Sequence, residues 1–75
     1  MEEELTTKQV QVERKSFHFS LRQNPRGRFL KITEDVGGRR DAVIIPSTGL
    51  DQIRDAIDQI IEADKVAGPL PPPLP

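Results

Sequence analysis

The residues best suited to chemistry lie around a polar turn at residues 24–27. Phe29 precedes Leu30 and Ile32 in a strand-like run, and the two-residue period of a strand places its ring on the face opposite these apolar side chains. Cations and amides surround it in the sequence, at Arg22, Gln23, Asn24, Arg26, Arg28 and Lys31. An exposed ring among cations on a sheet is suited to stack on an unpaired base while the cations contact phosphates. The segment therefore favours single-stranded nucleic acid as a ligand.

Several of these residues have a structural alternative beside the functional one. Asn24 stands before a proline, so its amide can either read a base edge or initiate the turn. Arg22 is suited to hold phosphates or to stack, whereas Gln23, which alternates with it, can instead anchor the turn. Phe29 itself would turn into the core if its strand carried a bulge after Gly27.

Four strands and two turns are needed to position these side chains. Alternation predicts strands at residues 8–13, 17–23, 28–34 and 41–45, with turns at 24–27 and 35–40. The residues expected to face inward are Val10, Val12, Phe17, Phe19, Leu21, Leu30, Ile32, Val43 and Ile45. Ile44 is then an apolar residue on the face of Phe29, where it serves either in stacking or in a subunit contact.

A helix is predicted after the sheet, over residues 48–67, with Thr48 as its N-cap and Gly68 at its end. Its apolar residues recur every three or four positions and form one stripe, the predicted dimer interface: Leu50, Ile53, Ile57, Ile60 and Ile61. The order ββββα predicts an α+β fold, a four-stranded antiparallel sheet with one C-terminal helix. We expect residues 1–5 to be a flexible acidic N-terminus, 6–67 the folded unit and 68–75 a disordered Pro-rich tail.

Length and composition allow one small domain with a thin core. The chain has 75 residues, 35% hydrophobic content, three Phe and no Cys, which excludes disulfides and thiolate metal sites. Oligomerisation is then the natural way to cover apolar surface. No apolar run approaches the roughly 18 residues of a membrane span, and the N-terminus lacks the features of a signal peptide. We therefore expect a cytoplasmic protein without a membrane contact, in the bacterial cytosol or, for a eukaryotic source, in the nucleus or cytoplasm.

The distribution of charge favours a nucleic-acid ligand although the net charge is −1. Residues 8–46 hold nine Lys or Arg against four Asp or Glu, whereas the rest of the chain holds two against eight. A cationic sheet is thus joined to an acidic helix and an acidic N-terminus. Because a row of phosphates responds to the local field, the charge of the sheet is more relevant than the total. The alternative is that these are ordinary solvated faces.

Residues 22–34 read RQNPRGRFLKITE, and this segment resembles the repeat signature of the purine-rich-element binding proteins, the Pur-alpha family. The resemblance continues upstream through QVQVERKSFHFSL and downstream through DAVIIPS and the helix, and it covers residues 5–66. It implies a PUR repeat with a Whirly-like fold, in which two repeats intertwine through their helices. A chain with one repeat is then expected to form an intertwined homodimer.

The resemblance also implies a ligand and its contacts. Family members bind single-stranded DNA or RNA, purine-rich strands included, take part in transcription regulation and separate duplex ends without ATP. Arg22, Asn24 and Arg26 keep the residue types that contact nucleic acid in the family. Glu13 is a departure, because related proteins carry an amide there, and it argues against a purine preference. Arg14, at a second amide position, returns a positive charge to the site.

Other chemistry has little support in the sequence. His18 is expected on the outer face without Cys or a carboxylate at ligand spacing, so no metal is predicted. No phosphate-cradling loop or nucleophile–base pair is present, so neither an enzyme nor a cofactor is predicted. The tail has PxxP spacings that an SH3-like groove can bind, but a tail without a partner is the preferred interpretation. The rival function is a protein-interaction or regulatory module that keeps the PUR fold without strong nucleic-acid binding, which Glu13 and the acidic helix favour.

Overall fold

A computed structural model describes residues 1–71 as one sheet followed by one helix. The strands are β1 (Glu3–Val12), β2 (Lys15–Asn24), β3 (Gly27–Val36) and β4 (Arg39–Pro46). They pair antiparallel in the order β1-β2-β3-β4, and a 3-10 turn (Ser47–Gly49) leads into α1 (Leu50–Ala67). The architecture confirms the predicted α+β fold with the order ββββα.

The strands are longer than the apolar alternation alone predicted. β1 begins at Glu3, five residues before the expected start, and β4 extends from Arg39 to Pro46. Most of the added residues are polar or charged. They join the sheet because the ladder is formed by backbone N–H and C=O groups, which pair with the neighbouring strand whatever the side chain.

Each hairpin closes with a two-residue turn, and these turns fix the register of the sheet. Gly37 and Gly38 have φ angles of 57° and 87°, the left-handed conformation that such a turn requires. Between β2 and β3, Asn24 Oδ1 accepts a hydrogen bond from the Arg26 backbone N–H at 2.9 Å, which confirms the predicted turn. At the β1–β2 turn Glu13 takes a φ of 55°.

The register gives the sheet two chemically different faces. Phe19 lies opposite Ile32, and Ile32 lies opposite Val43, so apolar residues of three strands share one face. This inner face carries Val10, Val12, Phe17, Phe19, Leu21, Leu30, Ile32, Val43 and Ile45. Every residue predicted to face inward therefore lies on it. The outer face carries the residues that alternate with them.

The start of the helix differs from the prediction, and its end does not. Thr48 lies inside the 3-10 turn, and Gly49 is the N-cap, without a side-chain hydrogen bond. The expected Thr48 cap is wrong because the 3-10 turn moves the first helical residue past the hydroxyl. The helix ends at Ala67 as predicted, and the Gly68 backbone N–H donates to the Lys65 carbonyl at 3.1 Å. The predicted Pro-rich tail follows, and its residues 72–75 lie outside the described range.

Only the first half of α1 approaches the sheet. A space of about 250 Å³ between the two is lined by Phe19, Leu30 and Ile32 of the inner face and by Leu50, Ile53 and Ile57 of the helix. Farther along the helix, Ile60 is 66% exposed and Ile61 is 47% exposed. Within residues 1–71 no side chain is fully buried in the single chain.

The single chain is too extended for its size. Its radius of gyration is 15.7 Å, against about 11 Å for a globular domain of 75 residues. It exposes 6680 Å², where a folded monomer of 8.4 kDa exposes about 4600 Å². The difference, about 2000 Å², includes much of the inner face and of the helix stripe. One chain therefore does not complete a hydrophobic core by itself.

Candidate nucleic-acid interface

The outer face carries Phe29 in the middle of a row of three paired residues. Arg22 on β2, Phe29 on β3 and Pro46 on β4 lie opposite one another in register. The pairing of β2 with β3 runs without a register shift, so Phe29 does not turn into the core as a bulge after Gly27 would have required. Beside the ring is a shallow depression of about 200 Å³, lined by Phe29, Ile44 and Pro46 together with Asn24 and Arg26 of the turn.

The end of β4 supplies an apolar surface next to the ring. Pro46 lacks a backbone N–H, and it is accommodated because β4 is an edge strand with a single neighbour. Ile44 is 52% exposed and Phe29 is half-buried. A ring bordered by an aliphatic side chain and a proline offers the kind of apolar platform on which an unpaired base can stack.

The amide of Asn24 is only partly used by the turn. Its Oδ1 accepts the hydrogen bond from the Arg26 N–H, so the structural role proposed for this residue is present. Its Nδ2 donates no hydrogen bond to any residue among 1–71. An amide N–H₂ is a donor suited to a carbonyl or ring nitrogen of a base. The turn therefore leaves Asn24 able to contact a ligand while it holds the hairpin.

Arg22 is held in a network of acids on the outer face. Its Nε donates to Glu2 Oε1 at 2.8 Å, and its Nη1 donates to Glu4 Oε2 at 3.0 Å. Ser20 Oγ donates to the same Glu4 oxygen at 2.9 Å and accepts from Arg22 Nη1 at 3.3 Å. The Arg22 side chain remains 28% exposed. Its guanidinium is thus fixed in position and already faces two carboxylates.

The outer face is cationic near Phe29 and polar toward the other end of the sheet. Lys31 is exposed and pairs in register with Ile44, which places a cation beside the apolar platform. Toward the other end of the sheet, Gln9 Nε2 donates to Ser16 Oγ at 2.9 Å, and Ser16 Oγ lies 3.3 Å from His18 Nε2. His18 accordingly lies on the outer face, as the alternation predicted.

Two predicted site residues are not brought together with Phe29. Gln23 shares the inner face, where its Oε1 accepts from Arg28 Nη2 at 3.1 Å and its Nε2 donates to Glu3 Oε1 at 3.2 Å. Arg14 lies in the β1–β2 turn, eight residues before Arg22, the residue opposite Phe29, and eight residues of strand correspond to about 26 Å. The other predicted site residues, Arg22, Asn24, Arg26 and Lys31, lie around the ring.

Sequence reasoning did not identify Ser20 or the acids Glu2 and Glu4 as neighbours of Arg22. Alternation along β2 does predict Ser20 on the face of Arg22, but it does not predict that both side chains donate to Glu4. The acids could not have been placed by alternation, since the register of β1 shifts between Glu4 and Thr6.

The described part of the chain shows neither a metal-ion cluster nor a membrane-spanning helix. Among residues 1–71 no group of three or more His, Cys, Asp or Glu is arranged to hold a metal ion. Helix α1 does not combine the length and apolar character needed to cross a membrane.

Comparison with known proteins gives the family. Residues 2–66 match the family described as PurA ssDNA and RNA-binding protein. The chain belongs to the PurA family. This confirms the resemblance found at residues 22–34 and supports nucleic-acid binding. The matched region begins before the resemblance, at residue 2, so it includes the acids that contact Arg22.

The relatives of this PurA-family chain are named as transcription factors and regulators. It is 40% identical over 62 residues to Transcription factor Pur-alpha 1 of Arabidopsis thaliana, covering 83% of this chain and 21% of that protein. It is 35% identical over 72 residues to human Transcriptional activator protein Pur-alpha, covering 95% and 22%. With human Transcriptional regulator protein Pur-beta it shares 32% identity over 71 residues, covering 93% and 23%. The chain thus spans about a fifth of the length of these relatives.

The substitution Asn24→Asp separates the two roles of the turn residue. Aspartate keeps the oxygen that accepts the Arg26 N–H, so the free energy of unfolding should change by less than about 0.5 kcal/mol. It loses the N–H₂ donor and adds a negative charge, so affinity for a single-stranded oligonucleotide should fall roughly 5- to 20-fold. Chemical denaturation and fluorescence anisotropy measure the two effects.

Gln23→Glu is the matched control for this substitution, because it makes the same amide-to-carboxylate change on the inner face. It should leave oligonucleotide affinity within about twofold of the parent. Equal losses of affinity in both variants, or none in Asn24→Asp, would show that the Asn24 amide serves the turn alone.

Proposed function

We propose that the protein is a homodimer that binds single-stranded DNA or RNA on the outer faces of its two sheets. The observation that carries the proposal is the row of Arg22, Phe29 and Pro46 on the face opposite the apolar inner face. An aromatic ring on the solvent side of a sheet contributes little to a core, and membership of the PurA family supports a role for it in binding single-stranded nucleic acid.

The contacts divide into those that hold the backbone and those that meet the bases. Arg22, Arg26 and Lys31 contact phosphates, which fixes the path of the strand without regard to sequence. Phe29 stacks on a base, with Ile44 and Pro46 beside it. The Asn24 N–H₂ group donates to a base edge. Arg14 contacts only strands long enough to reach the far end of the sheet.

Stacking on Phe29 requires a base that is not paired and not covered by its neighbour. The proposed surface therefore favours single strands over duplexes. A protein that binds the open form of a frayed duplex end shifts the equilibrium toward strand separation by mass action, without ATP. The names of the longer relatives refer to transcription. Regulation of transcription is therefore one process in which such binding acts, in the nucleus or the cytosol.

Dimerisation follows from the surface that a single chain leaves uncovered. If each chain buries about 2000 Å² against its partner, the total is about 4000 Å², within the range of obligate dimers. The second half of α1, where Ile60 and Ile61 are exposed, can cover the inner face of a second copy.

The substitution Phe29→Ala should lower single-strand affinity roughly 5- to 150-fold, the usual contribution of one stacked base. Because Phe29 lies on the outer face, its removal should cost less than about 1.5 kcal/mol of stability, whereas Phe19→Ala on the inner face should cost about 3–5 kcal/mol. Anisotropy titrations with purine-rich and pyrimidine-rich oligonucleotides, combined with thermal melting, measure both.

Two results for Phe29→Ala would contradict the proposal in different ways. A melting temperature far below that of the parent would show that the ring is part of the core. Normal melting with normal affinity would show that the ring is idle, and the protein-interaction module would become the better interpretation.

The substitution Ile57→Asp should abolish the dimer, and Ile44→Asp should not. Both side chains are equally exposed in the single chain, 51% and 52%, so exposure alone gives no reason for them to differ. A charge at Ile57 would be buried at the proposed interface without a partner, which is strongly destabilising. Light scattering should give about 17 kDa, twice the chain mass of 8.4 kDa, for the parent and for Ile44→Asp. A parent that remains a folded monomer at micromolar concentration would refute the dimer.

A further inference from the structure

Two carboxylates occupy the positions that a phosphate would need at Arg22. Glu2 Oε1 lies 2.8 Å from Arg22 Nε, and Glu4 Oε2 lies 3.0 Å from Arg22 Nη1. The Glu4 oxygen also accepts from Ser20 Oγ at 2.9 Å. A guanidinium and a hydroxyl that converge on one anionic oxygen form the same set of donors that recognises a phosphate oxygen.

A β-bulge brings these acids to the outer face. The pairing of β1 with β2 shifts between Glu4 and Thr6, so Leu5 is the extra residue. Without the shift, the alternation that places Thr7 on the outer face would place Leu5 and Glu3 there as well. With it, Glu4 lies opposite Arg22 instead. The shift thus turns Glu4 toward the proposed ligand surface and leaves Glu3 on the other side, where it accepts from Gln23.

The contacts are close but accessible to a competitor. The side chains of Glu2 and Glu4 are 45% and 49% exposed, so water and a ligand can reach both. Exposed ion pairs of this kind are weak and screened by salt. A polyanion that offers several phosphates at once can therefore displace them, whereas an isolated anion gains little.

We propose that Glu2 and Glu4 act as an internal competitor for the nucleic-acid backbone at Arg22. The inference rests on the proposed function and adds regulation to the same site. In the free protein the two carboxylates neutralise Arg22 and lower affinity for short or weakly bound strands. When a strand binds, its phosphate takes the place of the carboxylates at Arg22 and Ser20, and the N-terminal end of β1 is released from them.

Neighbouring glutamates provide a matched test. Glu4→Gln removes the charge that faces Arg22, and Glu3→Gln makes the same change in net charge on the inner face. At physiological salt, Glu4→Gln should raise single-strand affinity about two- to fivefold and Glu2→Gln/Glu4→Gln about three- to tenfold. Glu3→Gln should stay within about 1.5-fold of the parent. In an Arg22→Ala background, Glu2→Gln/Glu4→Gln should give no gain. Thermal melting of each variant confirms that the fold is kept.

The outcomes distinguish this inference from the function on which it rests. An equal gain in Glu3→Gln and Glu4→Gln would mean that only net charge matters, and a gain that persists without Arg22 would mean that the acids act elsewhere. Either result overturns the internal competitor while single-strand binding stands. If neither the parent nor any variant binds an oligonucleotide, both proposals are overturned. If the double variant binds an oligonucleotide and the parent binds it much more weakly, both proposals are supported.

Discussion

An apolar sheet face that its own helix covers only in part is the constraint on which the rest of this structure depends. The inner-face side chains come from all four strands, and α1 meets them only through its first half. No described side chain is fully buried in one chain. Since burial of apolar area is the main favourable term in folding, the remainder must be covered by another surface. In the proposed dimer a second copy supplies the matching stripe, which is why the dimer and the fold are expected to be inseparable.

The same constraint determines which face is available to a ligand. Because side chains alternate strictly along a strand, committing one face of the sheet to the core leaves the opposite face to solvent. The two-residue turns then fix which residues meet across the strands, and they align Arg22, Phe29 and Pro46. The position of the ring on the outer face is therefore a consequence of the register, and a slip of one residue would turn Phe29 to the inner face and Leu30 to the outer one. The composition of the outer face, cations around an apolar platform, suits a flexible anionic chain of bases.

The sequence predicted most of this because its strongest signals are periodic. Alternation along the four strands identified the apolar residues of the inner face, and the glycines and the Asn–Pro step identified the turns. The start of α1 and of β1 could not be predicted in the same way. Thr48 has the chemistry of an N-cap, but the preceding 3-10 turn, which depends on how β4 leaves the sheet, decides where the helix begins. The extension of β1 rests on backbone pairing between polar residues, and polar side chains give no periodic signal.

The candidate site was predictable to the extent that it depends on alternation within one hairpin. Phe29, Arg22, Asn24, Arg26 and Lys31 lie together because β2 and β3 pair without interruption. The contacts from β1 were not predictable, because the bulge at Leu5 reverses the faces of the residues before it. Gln23 illustrates the opposite case. It lies between two site residues in the sequence, but alternation along β2 places its side chain on the inner face beside Arg28. In this sheet, alternation along the strand therefore predicts which residues share a face more reliably than closeness in the sequence does.

The central claim is that the inner face of the sheet is covered and that the outer face binds the ligand. Isoleucine methyl NMR tests this claim most directly. The chain has seven isoleucines, and Ile44 is the one on the outer face, next to Ile45 on the inner face. On titration with a single-stranded oligonucleotide, we expect the Ile44 methyl signals to shift strongly, because a base stacked on Phe29 lies beside them. Those of Ile45, Ile32 and the helix isoleucines should move little. Large shifts at Ile32 or Ile45 with an unchanged Ile44 would place the ligand on the inner face and contradict the account.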